Sequence, residues 1–194
     1  MSQFLSRTAK RLLDADGNVL TVRTIADGEF LKRSGNDIVG DAGDGMVHIG
    51  GNFVDTTDQA IAVADTPQVV TFNKNPLIDD ISHTVGTSVF TINTDGVYRI
   101  IVAPQLAQGT GGATVEFWLR KNGTDIVDSG VQITVSSNSE RLPLLRWKER
   151  FVVTDTLEVV WASTSMNTKL DNIASLFSGP NIPSITFGVT QSGS

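Results

Sequence analysis

The 194-residue chain contains no cysteine, so neither disulfide staples nor thiolate metal sites contribute to its fold. Histidine is almost as scarce: His48 and His83 stand in different zones, and neither belongs to an HExxH or paired-histidine metal spacing. No GxSxG, P-loop or GxGxxG occurs in a strand-to-helix setting. Positive charge is in the minority. With 15 Lys and Arg against 21 Asp and Glu the net charge is −6, which argues against nucleic acid as a partner, because phosphate neutralisation needs clustered cations. No apolar run approaches the roughly 18 residues of a membrane span, so no membrane insertion is expected. The opening "MSQFLSRTAKRLL" has basic residues but no apolar central segment and no small-residue cleavage site, and is not read as a secretory signal.

What is present suits a packed protein of one ordinary domain with an appendage. Apolar residues make up 40% and charged residues 19%, too apolar for a disordered chain. Three zones differ in texture. Residues 1–13 fit a short amphipathic helix, with Phe4, Leu5, Ala9, Leu12 and Leu13 against Arg7, Lys10 and Arg11. A helix of that length is marginal alone, so the segment is either a frayed terminus or an arm that orders on a partner. Its three cations face no acid, so the total of −6 leaves −9 on the rest of the chain.

Residues 14–55 are turn-rich ("DADGN", "IADGEF", "RSGND", "GDAGDGM"), with apolar pieces too short to close a core without neighbours. "DADGN" is not a calcium loop: Gly17 falls at the fourth position and Ile25 at the twelfth, where Gly is needed at the sixth and Glu at the twelfth. From residue 56 the pattern is β. "QVVTFN", "SVFTI", "GVYRIIVAPQL", "TVEFWLRKNG", "SGVQITVSS", "RFVVTDTLEVVWAS" and "SITFGVTQ" are rich in Val, Ile, Thr and aromatics, and turns separate them evenly. In "TVEFWLR", Trp118 alternates against Val115, Phe117 and Leu119; Asn122-Gly123 reads as a type I′ hairpin turn. Seven or eight strands with no convincing helix read as an all-β antiparallel sandwich or jelly roll.

No catalytic constellation emerges, and no cofactor or metal is expected. Asp79-Asp80 are adjacent, so on a strand they point to opposite faces. "GTGGAT", residues 109–114, is a flexible loop without the Lys-Ser of a phosphate cradle. Asn122-Gly123-Thr124 matches a glycosylation sequon but reads as the hairpin turn. Trp118, Trp147 and Trp161 are read as core or interface residues before sugar platforms. "RWKER", residues 146–150, reads as an edge strand with solvated charges.

The stretch "FTINTDGVYRIIV", residues 90–102, resembles the core signature of trimeric jelly-roll domains, the globular heads of the complement first component and the tumour necrosis factor superfamily. Phe90, Gly96, Tyr98, Ile100 and Val102 carry the resemblance, and "FWLRKNGTDIVDS", "TDTLEVVWAS" and "PSITFGVTQ" extend it over about residues 56–191. "IADGEFLKRSGNDIVG" is similar to segments of bacteriophage tail and capsid-appendage proteins. The resemblance implies a homotrimer in which Tyr98, Phe117, Trp118 and Trp161 supply threefold contacts. It implies a turn-rich base over residues 14–55, intertwined in the trimer, and a jelly roll over 56–194. The expected role is a non-enzymatic capsid decoration (cement) protein, made in the host cytoplasm and located on the virion. Its arm (Phe4, Leu5, Arg7, Lys10, Arg11, Leu12, Leu13) would dock on the major capsid protein or another virion protein. The alternative is a fibre tip that recognises a host-surface receptor through loops near Gly109–Gly112 and Asn167–Pro180.

Overall fold

Alternation of apolar and polar residues places one side of each strand against a partner sheet, and eight strands of this kind build the second part of the chain. They are β1 (Gly50–Asp55), β2 (Phe90–Ile92), β3 (Gly96–Pro104), β4 (Ala113–Lys121), β5 (Val131–Val135), β6 (Leu145–Phe151), β7 (Thr156–Ser163) and β8 (Ile185–Gly193). The computed structural model describes residues 49–193, together with the backbone of strands Thr21–Val22, Phe30–Ser34 and Asp37–Asp41. The arm residues Phe4, Leu5, Arg7, Lys10, Arg11, Leu12 and Leu13 lie outside the described residues. No helix occurs among the described residues.

The chain divides into two compact units, Met1–Val47 and His48–Ser194. In the first, Asp37–Asp41 lies between Phe30–Ser34, to which it is antiparallel, and Thr21–Val22, to which it is parallel. In the second, one sheet has the order β6-β3-β8-β1, with Lys74–Asp79 as its far edge. The facing sheet runs β4-β7-β2-(Ile81–His83), with β5 and the short Thr124–Asp125 on the other side of β4. Strand 1 therefore pairs with 8, 8 with 3 and 3 with 6, while 2 pairs with 7, 7 with 4 and 4 with 5, all antiparallel. That interleaving is a jelly roll, the fold read from the sequence.

Two boundaries differ from that reading. Gly50–Asp55, placed at the end of the turn-rich zone, is the first strand of the jelly roll, because its six residues pair along β8. "RFVVTDTLEVVWAS" is two strands rather than one. Thr154 adopts φ of 73°, and the chain turns between Phe151 and Thr156. The apolar letters of Val152 and Val153 hide this break from sequence alone, and both side chains are exposed.

The core between the sheets is aromatic at one end. Phe53 and Phe187 from one sheet meet Phe90 of the other at 4.5 and 4.6 Å between ring centroids, and His83 stacks on Phe90 at 4.5 Å. Burial pushes the His83 imidazole below its usual pKa, against the opposing effect of its bond to the Thr87 carbonyl. "FTINTDGVYRIIV" now has its explanation. Phe90 and Ile92 end β2 in the core, residues 93–95 turn, and Tyr98, Ile100 and Val102 of β3 re-enter it. The Tyr98 hydroxyl donates to the Thr94 carbonyl at 2.7 Å, tying the strand to its own turn. Gly96 is needed because a Cβ there would collide with the Gln191 amide and stand 2.8 Å from the Gly193 carbonyl oxygen.

Candidate interaction surfaces

Of the four residues expected at a threefold contact, three have no surface to offer. Tyr98, Phe117 and Trp161 are fully buried inside the protomer, where Phe117 stacks on Trp161 at 6.0 Å and Tyr98 meets Phe151 edge-on at 5.9 Å. Their inward placement follows from period-2 alternation, since all three share a parity with the core residues of their strands. They pack in the core between the two sheets of the protomer. Trp118, on the opposite face of β4, is the one of the four that keeps exposed surface.

Trp118 forms the floor of a groove of about 460 Å³ on the outer face of the β4–β7 sheet, with Pro67 and Ala162 beside it. Asp65, Glu116, Gln132 and Thr164 form its rim. The Gln132 amide donates to the Glu116 carboxylate at 2.9 Å, which holds one wall in place. The Trp118 indole N–H is shielded from solvent and meets no acceptor at hydrogen-bond geometry.

The outer face of the other sheet is cationic at one edge. β6 is the last strand of that sheet, as "RWKER" predicts, and Arg146, Lys148 and Arg150 share its exposed side. Pairing with β3 adds Arg99, whose Cα partner is Lys148. Arg99, Arg146, Trp147, Lys148 and Ser192 line a cleft of about 450 Å³. Trp147 is oriented by its indole N–H, which donates to the Ser129 carbonyl at 2.8 Å. The three β6 cations are legible from alternation in the sequence; Arg99 joins them only through strand pairing.

A third surface is a loop tip. Between Thr168–Leu170 and β8 the chain projects Leu176 and Phe177, 88% and 91% exposed. Both lie within the Asn167–Pro180 loop that the fibre-tip alternative names. The Asp79-Asp80 pair and Asp95 are exposed near the start of β3, where together with burial Asp80 and Asp95 raise the Tyr98 hydroxyl above its usual pKa. Among the described residues no three His, Asp or Glu side chains stand within reach of one metal ion.

No family model matches the chain, and no curated protein matches it in sequence. Among solved structures it is similar to the globular domain of zebrafish complement 1qA protein, at 13% identity and a TM-score of 0.45, over 75% of this chain and 97% of that one. It is similar also to murine APRIL, at 13% identity and a TM-score of 0.45, over 74% of this chain and 98% of that one.

Proposed function

We propose that the chain is a non-enzymatic structural protein that assembles as a homotrimer and displays its jelly roll on a virion, as a capsid decoration (cement) protein. The observation that carries this reading is the outer face of the β6-β3-β8-β1 sheet. It carries small residues across its middle and charged, exposed residues at its edges, a surface suited to contact with another protein. The separate N-terminal unit, Met1–Val47, supports a division of labour between attachment and display. Its basic first 13 residues would dock on the shell, and three arms acting together would convert weak contacts into stable attachment by avidity.

The test has two steps. Light scattering on the full chain should return about three times 20.8 kDa, and binding to empty shells should vanish when residues 1–13 are removed. A monomeric mass, or shell binding that survives the deletion, would refute the proposal. The Leu176-Phe177 tip favours a second reading, a fibre tip that recognises a host surface, because an apolar pair this exposed is suited to insertion into a receptor. In that case residues 48–194 alone should bind host cells, and replacing both tip residues by Ser should abolish the binding.

A further inference from the structure

The outer face of the β6-β3-β8-β1 sheet has a charge order that the strand register makes explicit. One row of Cα partners runs Lys148, Arg99, Thr190, Gly50, Asp79 from one edge of the sheet to the other. The next row runs Arg146, Ile101, Gly188, Asn52, Leu77. Partners in a row share a side of the sheet, and Tyr98 and Ile100 point into the core, so both rows point outward. Cations therefore dominate one edge, while the other carries Asp79 and half-exposed Leu77, with Lys74 further along the same strand opposite Val54. Four strand spacings separate the two edges, about 19 Å. Between them Thr190 is exposed, Gly188 is half-buried and Gly50 is buried.

Two features make this order costly for a lone protomer. Like charges directly opposite each other across a strand pair are destabilising, and Lys148 faces Arg99. Among the described residues neither of them, nor Arg146, Arg150 or Asp79, takes part in an ion pair; the pairs present use Arg120, Lys121 and Lys169. The opposite charge that would relieve the cationic edge is present on the same face, but at its far end.

A threefold ring can be closed only by heterologous contacts, in which two unlike patches of each copy meet. We propose that the two ends of this row are those patches: the Arg99–Lys148 edge of one copy receives the Asp79–Leu77 edge of the next. The charge pairing sets the register and direction of the contact, and Leu77 supplies apolar area beside it. This inference rests on the trimer reading above and names the surfaces that reading requires.

The test is a charge-reversal cycle on the full chain, read as mass by light scattering at low and moderate salt. Lys148→Glu and Asp79→Lys, each alone, should convert the three-chain mass to the one-chain mass at a concentration where the wild type is fully assembled. The double variant Lys148→Glu/Asp79→Lys should restore the three-chain mass, because it exchanges the signs and keeps them complementary. Both residues are exposed, and unchanged melting of the single variants would show that the fold is intact. If the wild type is trimeric and both single variants stay trimeric, or if the double variant is as monomeric as the singles, the contact lies elsewhere and this inference alone fails. A wild type that is monomeric throughout removes the trimer reading, and this inference with it.

Discussion

Asp155 shows how one side chain can close an irregular turn. It is 7% exposed, it accepts the Asn122 amide at 2.6 Å and the Val152 N–H at 2.9 Å, and Lys121 stands 2.8 Å from its carboxylate. Burial works to raise its pKa, but the bonds from Lys121, Asn122 and Val152 outweigh it and hold the carboxyl below its usual value. A carboxyl with a depressed folded-state pKa contributes stability above its unfolded value, about 3.9, and loses it as pH falls through the folded value. Asp155→Asn should therefore cost about 2 kcal/mol at pH 7, and the difference from the wild type should be smaller at about pH 3, below the unfolded value. Urea denaturation at the two pH values checks this, and an equal deficit at both would show that charge is not what Asp155 contributes. In the sequence Asp155 reads as part of a continuous β stretch. Its partners come from the hairpin after β4 (Lys121 and Asn122) and from its own turn (Val152), and no local pattern joins the two.

At the scale of elements, the hairpin after β4 follows directly from two residues. Asn122 and Gly123 adopt φ of 51° and 77°, the left-handed values that a type I′ turn requires at both central positions. Nothing lies within 4 Å of a Cβ built on Gly123, so an alanine there would meet no steric clash, only an unfavourable backbone conformation. Gly123→Ala is expected to cost about 1 kcal/mol. Gly130→Ala, equally open but outside the left-handed region, should be close to neutral. Chemical denaturation of the two variants side by side tests the difference, and equal effects would mean that the turn conformation is not what selects glycine. This hairpin was fully legible in the sequence because its determinants are adjacent. The break between β6 and β7 was not, since apolar Val152 and Val153 continue the strand pattern through a turn held by distant hydrogen bonds, including the Val153 N–H to Asp95 at 2.5 Å.

For the whole molecule, the division at Val47 and the closed pairing of the eight strands imply that the jelly roll is self-sufficient. Its aromatic cluster, Phe53, Phe72, Phe90 and Phe187, is drawn from within that unit. Residues 48–194 expressed alone should melt cooperatively, within about 5 °C of the corresponding transition in the full chain. Calorimetry on both forms decides it, and a fragment with no cooperative transition would show that the N-terminal unit is part of the fold.

By itself the sequence determined the fold class, the hairpin and the edge character of β6, because alternation, turn residues and charge placement act over a few neighbouring positions. It also determined that Trp118 and Phe117 lie on opposite faces of one strand. Which of those faces is the core was decided only by tertiary structure, since parity does not say which side a second sheet will cover. That choice buried Tyr98, Phe117 and Trp161 inside the protomer and left Trp118 partly at the surface. The row from Lys148 to Asp79 belongs to the same category. Its five residues come from five separate segments, and only the register of the paired strands places them in line.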